Sequence, residues 1–292
     1  MMGNAQSVSP ETSQFHSRRL PAGQSGELIH LTRQSVGWEW MSFFVRRLLP
    51  REVWQAGYER EETAVVLLGG RCWADWGQGR KTIGGRKNVF DGLPYALYLP
   101  AGSLARLEAE TECELAVCSV PSQAKLSPRL IVPEDVEVSL RGGGNASRQI
   151  VGIIKPEFPA DKLMMVEVYT PSGNWSSYPP HKHDVHQPPA EVDLDEIYYY
   201  RTDHETGYAH QRLYHRNGGP DLTLTVTDGD AVVIRDGYHP VVAGHGYNIY
   251  YLNSLAGSAR ALSNTEDPDH QWVRSTWKAV DPRLPLVGGA KR

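Results

Sequence analysis

The chain is short of cysteine, of surplus positive charge, of long apolar runs and, through most of its first half, of histidine. Its three cysteines, Cys72, Cys113 and Cys118, form neither a disulfide framework nor a metal-binding spacing. They read as small apolar strand residues, which suits a reducing cytoplasm. The formal net charge of -4 leaves no basic footprint, so nucleic acid is excluded as a partner. No apolar run approaches the ~20 residues of a membrane span, so no membrane partner is expected. Residues 1–26 are rich in Ser, Gln, Gly and Pro and lack the apolar centre of a signal peptide. They read as a flexible lead-in.

Long helical patterns are scarce as well. Gly and Pro, 28 and 20 of them, interrupt the chain between short apolar runs such as 64–68, 96–99, 115–120, 163–169 and 222–227. Many short strands with frequent turn signals predict an all-β protein of barrel or sandwich type. An internal repeat sharpens this. Glu62 opens one apolar strand and Glu196 opens another, and Leu99-Pro100-Ala101-Gly102 parallels Ile234-Arg235-Asp236-Gly237. Glu62 lies 40 positions before Gly102, and Glu196 lies 41 before Gly237. The matched spacing predicts two tandem barrels, over 27–140 and 141–275, with a tail at 276–292. The Pro- and Gly-rich stretch 121–145 is the natural connection between them.

Histidine is where the two halves part. None lies between His30 and His181, and then His181-Lys182-His183 follows two prolines. Residues two apart on a strand share a face, so both imidazoles can reach one ion from one side of a sheet. A turn carrying two solvated histidines is the competing reading. The partners favour a metal. Glu196 begins an aromatic strand and offers a carboxylate, and His239 follows the Gly237 turn. Two histidines, a carboxylate and a third histidine in this order resemble the metal pattern of cupin barrels. Glu191 and Asp195 are rival carboxylates in the same region. Glu196 is preferred because it opens its strand as Glu62 opens the matching one. The first half has Ser103 and Leu104 after Gly102, where the second has Tyr238 and His239, so the first barrel is expected to carry no metal.

The segments 173–184, 196–201, 211–214, 237–241, 246–253 and 267–270, with 89–100 and 114–118 in the first half, closely resemble the 5-deoxy-glucuronate isomerase family of bacterial myo-inositol catabolism. The likeness spans about residues 27–275. It implies a bicupin fold, and interconversion of 5-deoxy-D-glucuronate and 5-dehydro-2-deoxy-D-gluconate. It also implies one divalent ion held by His181, His183, Glu196 and His239. One departure is visible: the family usually has proline near Arg235, which would stiffen the turn before His239.

An aldose–ketose isomerase moves a proton between adjacent carbons through an enediol(ate), and a divalent ion offsets the charge that develops. Zn²⁺, Mn²⁺ and Fe²⁺ all suit three imidazoles and a carboxylate. By strand parity Tyr198 and Tyr200 share the face of Glu196, and Tyr200 is the best candidate for a proton-moving group. Filling of the barrel core is the competing role for both tyrosines. Gln211 and Arg212 are candidates for substrate hydroxyl and carboxylate, though only one of them faces inward, and an exposed ion pair is the other role for Arg212. Tyr238 is a candidate for the rim. The substrate class is a small sugar acid, and a homo-oligomer is the expected assembly. Two other functions remain open on the residues: a metal-dependent cupin dioxygenase and a non-catalytic sugar-binding cupin.

Overall fold

The computed structural model describes residues 13–18 and 20–288. The protein is two tandem cupin barrels. Each is a large sheet curled against a four-stranded one. In the first barrel the large sheet centres on Glu61–Gly69, flanked by Ala96–Leu99 and Cys113–Pro121. In the second, Leu194–Thr202 is flanked by Ala231–Ile234 and Ile249–Gly257. These central strands are apolar on both faces because both faces are covered. One face of each large sheet packs into a shared cluster between the barrels, where Val66, Leu68 and Cys118 meet Ile197, Tyr199 and Leu252. The other face lines its own barrel. Each fully buried Val or Leu in these layers contributes about 1.5–3 kcal/mol.

The repeat is real, but its register differs from the sequence expectation. Glu196 stands opposite Ile234, and Thr63 stands opposite Leu99. Thr63, not Glu62, therefore holds the place of Glu196, and the counterpart of Glu62 is Asp195. A strand's period of two makes this one-residue difference a change of face. Both Glu62 and Asp195 point towards the other barrel and do matching jobs there. Glu62 accepts hydrogen bonds from the amides of Asp161, Lys162 and Leu163 at 2.7–2.8 Å, just before the strand Met164–Thr170. Asp195 accepts from the Trp40 amide at 2.6 Å, just before the strand Ser42–Leu48. Each barrel thus pins the segment that enters the other.

The connections are exchanged in the same way. Gln14–Phe15 precedes the first barrel yet pairs with Ala231 and Val232 of the second. Arg129–Ile131 leads towards the second barrel yet pairs with Ala96–Leu99 of the first. So part of the expected lead-in is an edge strand: Phe15 packs against the shared cluster, and His16 bonds Asp230 at 2.7 Å. Residues 1–12 and 19 of that lead-in lie outside the described residues. The strand Glu137–Arg141 pairs with Arg148–Ile154 and so belongs to the second sheet, a few residues earlier than the expected boundary. The tail is also docked. Val287 enters the shared cluster, and its carbonyl accepts from Gln149 Nε2 at 2.8 Å.

One buried polar network crosses the interface. Arg86 of the first barrel donates to both oxygens of Glu167, at 2.6 and 3.2 Å. The hydroxyls of Tyr169 and Tyr250 complete the carboxylate's hydrogen bonds at 2.9 and 3.0 Å. A charge pair this deep is tolerable because its lone pairs are filled.

Candidate metal centre and active site

Lys182 turns away from the second barrel's interior while its two neighbours turn in. Its ammonium is held by Asp184 and by Glu191 Oε1. Glu191 also accepts from the amides of Asp184 and Val185 at 2.9 and 3.0 Å. It therefore organises the loop after the histidines and stands apart from the His183, Glu196 and His239 group. Asp195 points to the other barrel, as described. That leaves Glu196, on the inner face of its strand. His239 reaches the same point from the turn at Gly237, whose φ of +78° suits glycine. A Cβ at Gly237 would also lie 2.9 Å from the Tyr214 carbonyl oxygen. Arg235, in the place of the family's usual proline, is itself anchored: its Nε donates to the carbonyl of Val36 in the first barrel.

The ligand atoms of His183, Glu196 and His239 lie within 4.8 Å of one another, and all three residues are buried. His183 Nε2 is 2.9 Å from Glu196 Oε2, and His239 Nε2 is 3.3 Å from the same oxygen. On the far side of each ring, His183 Nδ1 meets the Leu194 carbonyl at 3.1 Å and His239 Nδ1 meets the Gly237 carbonyl at 2.9 Å. A carbonyl only accepts, so each Nδ1 carries a proton and Nε2 is the nitrogen each ring turns to the centre. Two ring nitrogens and a carboxylate oxygen then converge on one point, and the buried His239 Nε2 has no hydrogen-bond partner among the described residues. A divalent cation is what such a donor set fits. The His181 ring lies beside the trio, its centroid 4.8 Å from that of His239.

Burial opposes ionisation of Glu196, but the His183 and His239 rings beside it outweigh burial and bring the carboxyl to about 2. Burial works against charge at His183 too, but the Glu196 carboxylate outweighs it and raises that ring's pKa in the absence of a cation. Burial drives His181 well below the ordinary histidine range, helped by its two histidine neighbours. Neutral imidazole is the form that binds metal.

The group opens on a cavity of about 180 Å³, which His181, His183 and Glu196 share with Ser177, Tyr198 and Tyr251. The Tyr198 hydroxyl lies 2.8 Å from Ser177 Oγ, and Tyr251 donates to Ser176 Oγ at 3.0 Å. Burial pushes the Tyr198 phenol well above its usual range, so it stays protonated.

The KduI/IolB family model matches residues 16–273. The chain belongs to this family. It is 41% identical over 252 residues to the 5-deoxy-glucuronate isomerase of Geobacillus thermodenitrificans, covering 86% of this chain and 92% of that one. It is 34% identical to the enzyme of the same name from Bacillus subtilis strain 168, covering 85% and 93% of the two chains. A crystal structure of an IolB-like protein from Salmonella typhimurium superposes with a TM-score of 0.85 at 35% identity, covering 90% of this chain and 99% of that one. Lactobacillus farciminis oxalate decarboxylase, at 11% identity and a TM-score of 0.64 over 89% of each chain, shares the fold.

In this KduI/IolB member, four residues expected near the substrate do not line this cavity. Tyr200 is fully buried beneath the cavity floor, its hydroxyl donated to Gln211 Oε1 at 2.8 Å. Tyr200 and Gln211 pair inside the barrel, where Gln211 Nε2 has no hydrogen-bond partner among the described residues, and neither lines the cavity. Arg212 takes the outward side of its strand. There it grips Asp221 through two hydrogen bonds, at 2.8 and 2.7 Å, and lies over the Tyr214 ring. Tyr238 alternates away from His239 and stacks on Tyr214, with centroids 5.2 Å apart. The sequence reading missed Tyr251, two places along its strand from buried Asn253, and Arg148, which opens the strand Arg148–Ile154. The same parity that singled out Tyr198 would have found Tyr251, given the pairing of Tyr198 with Asn253.

Proposed function

We propose that the protein is a metal-dependent aldose–ketose isomerase interconverting 5-deoxy-D-glucuronate and 5-dehydro-2-deoxy-D-gluconate. The observation that carries this reading is 34–41% identity, over most of both chains, to proteins named 5-deoxy-glucuronate isomerase. The buried histidine–carboxylate group supports it. His181, His183, Glu196 and His239 would hold a divalent ion, Zn²⁺, Mn²⁺ or Fe²⁺, which would supply Lewis acidity for the enediolate charge. The proposal extends to a step in myo-inositol breakdown in the cytoplasm, and to a homo-oligomeric assembly.

The chain's own residues supply the rest of the site. Tyr198 and Tyr251 hold protonated phenols at the cavity wall, positioned by the hydroxyls of Ser177 and Ser176. A fixed hydroxyl donor beside a developing oxyanion lowers the barrier without reorganising at the moment of reaction. Ser177 adopts φ +49°, an uncommon conformation for a non-glycine residue, and its hydroxyl meets Tyr198 directly. Val166, Val168 and Leu255 give the cavity an apolar wall that keeps the local dielectric low.

The test is to incubate the purified protein with 5-deoxy-D-glucuronate and follow the keto acid by NMR beside an oxygen electrode. Product without oxygen uptake is expected. Substrate-dependent oxygen uptake would point to a dioxygenase, and no turnover with Zn²⁺, Mn²⁺ or Fe²⁺ would overturn the reading.

A further inference from the structure

Arg148 and Arg141 stand directly opposite each other on paired strands, and both line the cavity that contains the metal group. Like charges at opposed strand positions destabilise a sheet unless something compensates them. Neither guanidinium has a carboxylate partner among the described residues. Arg274, a third arginine at the cavity, is already taken by Glu266.

The Arg148 guanidinium is held on one side only. Its Nη1 donates to the Tyr178 carbonyl at 3.1 Å and to the Ala146 carbonyl at 3.5 Å. Its Nε and Nη2 have no protein acceptor among the described residues. Burial also lowers the ease with which this side chain holds its charge, with Arg141 and Arg274 adding to the effect. An arginine fixed through one nitrogen, half-buried, and presenting its remaining donors to a cavity fits a planar, bidentate anion.

We propose that Arg148, with Arg141 beside it, receives the carboxylate of the sugar acid and so sets which end of the substrate meets the metal group. The inference rests on the isomerase reading for the identity of the acid. A six-carbon acid spans about 6 Å end to end at ~1.5 Å per carbon–carbon bond, foreshortened by its bond angles. With its carboxylate on Arg148, the aldehyde and its neighbouring hydroxyl are the groups left to face His181, His183, Glu196 and His239. Recognition through the carboxylate also explains how one cavity tells a sugar acid from a neutral sugar: only the acid offers an anion to the half-buried Arg148 and the exposed Arg141 beside it.

The test measures binding apart from catalysis. Calorimetry on the metal-stripped and the metal-loaded protein compares 5-deoxy-D-glucuronate with its neutral analogue, in which CH₂OH replaces the carboxylate. The wild type is expected to prefer the acid by about 100-fold, the scale of a bidentate charge-assisted pair. Arg148→Gln removes most of that preference while leaving the neutral analogue's affinity and the bound metal unchanged. Arg148→Lys, which keeps a point charge without the fork, retains part of it. A wild type with no preference, an R148Q protein that keeps the preference, or one that weakens both ligands alike would each overturn the proposal. The last result would mean that Arg148 only braces the Tyr178 loop. If the wild type turns nothing over, the isomerase reading falls alone. The same comparison with D-glucuronate and D-glucose then decides the role of Arg148.

Discussion

The two barrels share a strand order and differ in what fills them. In the first, Val65, Leu67, Leu99, Leu107 and Val117 close the interior into an apolar core. In the second, the matching space holds Tyr198, Tyr251 and the histidine–carboxylate group beside a cavity. The position of Glu196 is Thr63 in the first barrel, and that of His239 is Leu104, which is half exposed. A barrel needs its interior filled, and it is indifferent to whether side chains or a site fill it. One copy therefore serves as packing surface for the other, which carries the polar cluster.

The largest expected effect tests that division. His239→Ala or Glu196→Ala should abolish stoichiometric metal and lower kcat by about 10³-fold or more, since the lost ion is the main stabiliser of the developing charge. Leu104→Ala, at the matching place in the first barrel, should leave both unchanged. Metal by mass spectrometry and turnover of 5-deoxy-D-glucuronate check the pair. Equal loss in both variants would break the comparison.

A middle-sized effect probes the exchanged anchors. Glu62 receives three amides and the Tyr98 hydroxyl, the last at 2.7 Å. Glu62→Ala should cost about 3 kcal/mol, because several buried donors lose their acceptor together. Asp195→Ala should cost less, about 1–2 kcal/mol. Burial has already pushed this carboxyl up to about 6, against the pull of the Trp40, Glu39 and Met41 amides. Urea unfolding of the two variants measures the difference, and a larger loss at Asp195 would reverse the ranking.

The sequence made much of this legible. Strand periodicity and Gly and Pro punctuation pointed to the barrels, and histidine spacing pointed to one half. Register was harder. The spacings of 40 and 41 residues matched Glu62 to Glu196, but the strands pair so that Thr63 takes that place. Loop lengths alone do not reveal a one-residue difference, and in a sheet one residue exchanges inside for outside. The exchanged strands at Gln14–Phe15 and Arg129–Ile131 were hidden for another reason. Two or three residues carry too little pattern to name a partner across the interface. Arg148 was missed because an arginine at a strand's start reads as surface until its missing carboxylate partner is seen.

The smallest expected effect concerns Arg212, and it matters because it should be close to nothing. Arg212 and Gln211 are adjacent on Tyr208–Tyr214, so one must face in and the other out. Gln211 is fully buried, while the Arg212 side chain is 43% exposed and its partner Asp221 is 56% exposed. An exposed pair contributes about 0–1 kcal/mol, because water screens both charges and two long side chains lose freedom to meet. Stacking of Arg212 over Tyr214 adds about 0.5–1 kcal/mol at such a site. Arg212→Ala should therefore lower stability by about 1 kcal/mol, and leave KM for the sugar acid where it was. A rise in KM of tenfold or more, with unchanged stability, would place the carboxylate contact on the outer strand and take it away from Arg148. The two arginines thus divide as the two barrels do: one completes a surface, and the other, with no carboxylate partner among the described residues, lines the cavity where a ligand can reach it.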